Sequence, residues 1–199
     1  GGSASDPLAM ITPENVKGDF NINDMVRHIG YFTKYLPSVA EEYALNLDHA
    51  FISGGSAGGH LTCTTALGIA SGNYADIFGD AITVRGIIPF YPANGYSRLE
   101  GEKEFKNPEK YLIEQDTPPM LIYQGTHDFP CARVSRNIKD AYEEENNEEC
   151  CIIWLPLAGH ANDLHLSGYY SLPFLYHWER FMYLTLEGEI ASSKPFFFN

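Results

Sequence analysis

Positive charge is scarce in this chain. Thirteen lysines and arginines stand against 26 aspartates and glutamates, for a formal net charge of −13 over 199 residues. A surface of that sign repels phosphate backbones and anionic headgroups, which excludes nucleic acid and membrane surfaces as expected partners. Long apolar runs are missing as well. None approaches the roughly 20 residues that cross a bilayer, and no basic-then-apolar leader opens the sequence. Four cysteines are too few for a disulfide framework at this length, and none has zinc-finger spacing. A reducing, cytoplasmic setting is the expectation, although an absent amino terminus would hide a leader. His49, His60, His127, His160 and His165 offer no i, i+4 pair beside a carboxylate on one helix, so neither metal nor cofactor is expected. Phosphate-cradling signatures also fail. There is no Lys beside a loop Ser or Thr, and no G-x-G-x-x-G. No internal repeat divides the chain.

With 44% hydrophobic and 14% aromatic residues, the chain can bury the core of one domain. Its most informative stretch is Phe51-Ile52-Ser53-Gly54-Gly55-Ser56-Ala57-Gly58-Gly59-His60, an apolar strand that runs through a glycine-flanked serine into a small-residue helix. A serine hydroxyl is a weak nucleophile unless its geometry is controlled. A strained strand-to-helix turn supplies that control by lifting Oγ clear of the sheet. Gly54 and Gly58 are expected to leave room for the turn, and the Ala57 N–H, at the positive end of the helix, is placed to bind a developing oxyanion. A bare G-x-S-x-G is common, so the weight falls on context.

A serine nucleophile needs a base, and the base an orienting carboxylate. Pro118 to Asp128 reads as a buried strand followed by a loop carrying Asp128. Cys150 to His160 reads as another strand followed by a loop carrying His160. Ser56, Asp128 and His160 thus follow in the order nucleophile, acid, base, which is the α/β-hydrolase order and neither that of chymotrypsin nor that of subtilisin. Strand-like runs at Ala50 to Ser53 and Arg85 to Pro92 alternate with helical segments at Asn23 to Leu45, Leu61 to Ala70, Ser135 to Glu145 and Ser171 to Leu186. That alternation predicts an α/β fold, a mainly parallel sheet with helices on both faces. In the first helical segment Met25, Val26, Ile29, Phe32, Tyr35 and Leu36 form the apolar stripe, Asn23 or Asp24 the cap, and Pro37 a break between two helices. The polar stretch 93–117 is expected either to cap the site or to form a surface excursion with a short helix at Pro108 to Glu114. Phe129 is a weaker candidate for a pocket wall, and Cys131 for pocket lining or space filling.

Gly-Gly-Ser-Ala-Gly-Gly-His-Leu at 54–61, Gly-Thr-His-Asp at 125–128 and Ala-Gly-His at 158–160 resemble the esterase and lipase branch of the α/β-hydrolases, near its acetylesterase, feruloyl-esterase-like and arylformamidase-like members. The likeness runs from about Gly18 to Leu186. It implies Ser56 as nucleophile, His160 as general base, Asp128 as orienting acid and Ala57 as one oxyanion donor, acting on short-chain acyl or sugar-acetyl esters. Members of that branch carry a His-Gly-Gly-Gly-like loop upstream, and no such segment occurs here. The expectation is a hydrolase short at its amino terminus: residues 1–17 as linker or cloning remnant, and 18–199 as the carboxyl-terminal portion of the catalytic domain. A homo-oligomer or a missing amino-terminal segment is left open as partner. Two alternatives stand beside the esterase: a peptidase of the prolyl-oligopeptidase type, and an inactive hydrolase-like fragment.

Overall fold

The computed structural model describes residues 20–96, 100–164 and 168–187. The linker expected at 1–17 and His165 lie outside them. Among the described residues, four strands form one parallel sheet in the order β1 (Ala50–Gly55), β2 (Val84–Phe90), β3 (Met120–Gly125) and β4 (Cys150–Leu155). The strands are rich in Ile, Val and aromatics, which suit a pleated surface buried on both sides. Their carboxyl ends fall into line, with Gly55 opposite Phe90 and Gly125 opposite Leu155. Loops leaving that edge therefore converge.

Alternation of side chains sorts the core into two layers. On one face Ile87 and Ile122 pack with Cys63 and Leu67 of α2 (Ala57–Ala70) and with Val134, Ile138 and Tyr142 of α5 (Phe129–Glu144). On the other, Ile88, Phe90 and Tyr123 meet Phe174, Trp178 and Phe181 of α6 (Ser171–Glu187). Each fully buried aliphatic side chain contributes about 1.5–3 kcal/mol before entropy is counted. Helices thus cover both faces, as the alternation predicts.

A third cluster, Ile22, Val26, Phe78 and Phe105, joins α1 (Ile22–Val39), α3 (Ala75–Phe78) and α4 (Lys103–Lys106) to α2. Here the structure corrects three details. The cap of α1 is Asn21, whose side chain accepts from the Asp24 N–H while the Asp24 carboxylate accepts from the Asn21 N–H. Pro37 lies within α1 rather than breaking it, because the helix continues to Val39 before the chain turns. The buried face is Ile22, Val26, Gly30 and Thr33, and Phe32 and Tyr35 are exposed, because Gly30 lets α1 press onto the Ile77 backbone. The Thr33 hydroxyl completes that contact by donating to the Phe78 carbonyl at 2.7 Å.

In the stretch 93–117 the chain forms α4 and a 3-10 turn at Pro108–Lys110. The Phe105 ring is buried and its carbonyl accepts from His60 Nε2 at 2.7 Å and Thr64 Oγ1 at 3.1 Å, so this part is pinned to α2. Burial, the larger effect, lowers the His60 pKa despite the backbone acceptors that oppose it. Among the described residues no helix is long and apolar enough to cross a membrane.

Candidate active site

Ser56 is the hinge between β1 and α2, with φ 58° and ψ −118°. An L-residue with a side chain at such φ costs about 1–3 kcal/mol, so the surroundings must enforce it. The Ser56 N–H donates to the Phe90 carbonyl at 3.0 Å, and its own carbonyl accepts from His60 N at 3.0 Å and Ala93 N at 3.2 Å. Glycines supply the clearance, though not the pair expected. A Cβ on Gly54 would lie 2.7 Å from the Gly58 carbonyl oxygen, and one on Gly59 would lie 2.8 Å from that of Phe90. A Cβ on Gly58 would meet nothing within 4 Å, because that position faces away from the sheet. Gly54 and Gly59 let α2 sit against the ends of β1 and β2.

Asp128 and His160 arrive from the ends of β3 and β4. A Cβ on Gly125 would stand 2.3 Å from the Ala158 carbonyl oxygen, so glycine allows the acid and histidine loops to touch. His127 N donates to Ala158 O at 2.9 Å and Leu157 N to Thr126 Oγ1 at 2.8 Å, fastening them together. His160 Nε2 lies 2.8 Å from Ser56 Oγ, and His160 Nδ1 lies 2.7 Å from Asp128 Oδ2. The three side chains named from sequence are therefore one hydrogen-bonded series. Ala57 opens α2 beside the serine, and a first-turn N–H has no carbonyl within its own helix to bond.

Asp128 is buried at the start of α5, where the helix dipole favours negative charge. Gln124 Nε2 donates to Asp128 Oδ2 at 3.3 Å, while Ser135 Oγ donates to Gln124 Oε1 at 2.8 Å. This buried amide thus donates to the same carboxylate oxygen that His160 Nδ1 approaches and helps hold it in place.

Tyr91 and Cys131 adjoin the histidine. The Tyr91 ring lies 4.6 Å from that of His160, and its hydroxyl donates to the Asp163 carboxylate. Burial, and then that acceptor, push the Tyr91 phenol up and keep it protonated. Cys131 Sγ lies 3.8 Å from His160 Nδ1. Burial, followed by the Asp128 charge, pushes its thiol up to about 12. Tyr91 and Asp163 carry no sequence signal beyond a strand end and a loop acid, and the sequence offers Cys131 only as pocket lining or space filling. Phe129 is largely exposed and stacks on His127.

No protein-family profile matches the chain. In sequence it is similar to the "Probable carboxylic ester hydrolase LipM" of Mycobacterium tuberculosis, 26% identical over 178 residues that cover 77% of this chain and 40% of that protein. In structure it is similar to Esterase B from Lactobacillus rhamnosis, crystallised with a C4-C4 SN3 tributyrin phosphonate, at TM-score 0.72 and 17% identity over 87% of this chain and 64% of that one. It also matches Thermogutta terrifontis esterase 2 phosphorylated by paraoxon, at TM-score 0.63 and 21% identity, over 89% of this chain and 66% of that one. The chain thus spans well under half the length of the curated relative and about two thirds of the solved esterases. With the parallel sheet and its two helical layers, these likenesses establish the α/β-hydrolase fold.

Proposed function

We propose that the protein is a serine hydrolase of carboxylic esters, with Ser56 as nucleophile, His160 as general base, Asp128 as the acid that orients it and the Ala57 N–H as an oxyanion donor. The observation that carries this reading is the unbroken series Ser56 Oγ, His160, Asp128 at 2.8 and 2.7 Å. An imidazole that donates Nδ1–H to Asp128 keeps its Nε2 lone pair for the serine proton. As Oγ attacks the acyl carbon, Nε2 takes that proton and Asp128 stabilises the imidazolium. The developing oxyanion sits toward the Ala57 N–H. His160 then protonates the leaving alcohol, and water, activated by the same imidazole, releases the acid. Each oxyanion donor of this kind is worth about 3–4 kcal/mol of barrier. The scheme requires no metal or cofactor.

Short-chain acyl or sugar-acetyl esters are the substrates we infer, and the tributyrin phosphonate on Esterase B favours short chains. Four free thiols fit a reducing, cytoplasmic compartment. A second copy or an additional polypeptide segment over β1 belongs to the same reading. β1 stands at the sheet edge among the described residues, with Ser53 and Gly55 exposed.

A fluorophosphonate probe and a nitrophenyl acetate assay test the assignment. Labelling and turnover should both vanish in Ser56→Ala. A probe adduct that persists there refutes the nucleophile, and a properly folded chain that neither labels nor turns over supports the inactive fragment instead.

A further inference from the structure

Cys131 is the one thiol placed beside the candidate triad. Its Sγ, His160 Nδ1 and Asp128 oxygen all lie within 4.8 Å of one another. Sulfur, imidazole nitrogen and carboxylate oxygen are the three donor types that zinc and its heavier congener cadmium accept together. A tetrahedral zinc, with bonds of about 2.0–2.3 Å, holds such atoms roughly 3.3–3.6 Å apart. The sulfur-to-nitrogen separation of 3.8 Å has only to close slightly. The nitrogen-to-oxygen separation of 2.7 Å has only to open as the metal takes the place of the shared proton. The His160 side chain is 42% exposed, which gives a cation a way in from solvent, while Asp128 and Cys131 are buried.

We propose that Cys131, Asp128 and His160 form a binding site for a thiophilic divalent cation, zinc or cadmium, and that its occupation turns the hydrolase off. The inference rests on the reading of His160 as general base. The chemistry balances without any redox change. The Cys131 thiol releases one proton to solvent as the metal–sulfur bond forms, and the imidazole proton passes through solvent from Nδ1 to Nε2 as Nδ1 becomes a ligand. In that tautomer Nε2–H donates to Ser56 Oγ and has no lone pair with which to take the serine proton. The cation therefore stops proton transfer without touching the nucleophile. The other three thiols lack this company: Cys63 and Cys150 are sealed in the core, and Cys151 belongs to no such cluster among the described residues.

The test is a cadmium titration of the metal-free protein, read by the ultraviolet thiolate-to-cadmium charge-transfer band and, separately, by ester turnover. One equivalent should bind, turnover should fall at least tenfold, and dilution into a chelator should restore it. In Cys131→Ala and Cys131→Ser the band should be lost, and the half-inhibiting concentration, measured against each variant's own uninhibited rate, should rise at least tenfold. Cys151→Ser should behave as the parent does. Circular dichroism establishes that the Cys131 variants fold. A band that survives both Cys131 substitutions overturns the site. A Cys131-dependent band with undiminished turnover overturns the switch. A protein that develops the Cys131-dependent band on titration but hydrolyses no ester even before metal is added sinks the hydrolase reading while leaving the metal site standing.

Discussion

Strain at Ser56 can be separated from its chemistry by comparing two inactive variants. With φ at 58°, alanine at this position keeps the Cβ clash with the following carbonyl, whereas glycine removes it. Backbone held in so sparsely populated a region costs a residue with a Cβ about 1–3 kcal/mol. Glycine gives back about 0.4–1 kcal/mol because its unfolded chain is freer. Both variants lose the hydrogen bond to His160, so that term cancels. Ser56→Gly should accordingly be more stable than Ser56→Ala by about 1 kcal/mol, or about 2–4 °C in melting temperature for a chain of this size. Paired urea melts and calorimetry measure the difference, and nitrophenyl acetate should be turned over by neither. If Ser56→Gly proves equal to or less stable than Ser56→Ala, the hinge is relaxed, and the argument that the surrounding hydrogen bonds hold a strained nucleophile fails.

The elbow glycines should divide sharply. Gly59→Ala drives a Cβ into the Phe90 carbonyl and the Pro92 backbone, and should cost about 2–3 kcal/mol and depress turnover, while Gly58→Ala, which meets open space, should gain about 0.5–1 kcal/mol of fold stability. Thermal melts and kcat/KM on the two variants decide it. Burial lowers the pKa of His60, so the fold favours its neutral form; this stability is present above the ordinary value of 6.5 and is lost as pH falls through the lowered folded value. The melting temperature of the parent should therefore drop more than that of His60→Gln between pH 6.5 and 5, and parallel curves would refute the sign. Tyr91 is expected to position His160 by its ring and to be tied down by Asp163, so Tyr91→Phe should lower kcat a few-fold and Tyr91→Ala much further, with KM little changed. Equal losses in the two would place the effect in the hydroxyl instead.

How much of this was legible in the sequence follows from the range of the interactions involved. The strand–turn–helix at Ser56 is local, because the glycines, the apolar strand and the small-residue helix all lie within about twenty positions, so the pattern shows it, although the close approach falls on Gly59 and not on Gly58. Asp128 and His160 are far from Ser56 in sequence, but each follows a strand whose apolar run is visible, and a parallel sheet gathers the carboxyl ends of its strands at one edge. Chain order could therefore stand in for distance. The face of α1 could not be read this way. Its periodicity offered Phe32 and Tyr35 as core, yet the buried side is chosen by what lies beneath it, where Gly30 and Thr33 meet α3. Cys131 failed for the same reason, since its role depends on an imidazole from the loop after β4, 29 positions on, that a list of spacings along one helix cannot bring near. Sequence pattern locates groups that a strand end or a helix turn aims directly. Groups defined by which loops touch, such as Tyr91 with Asp163 or Cys131 with His160, become visible only once the sheet has fixed those loops side by side.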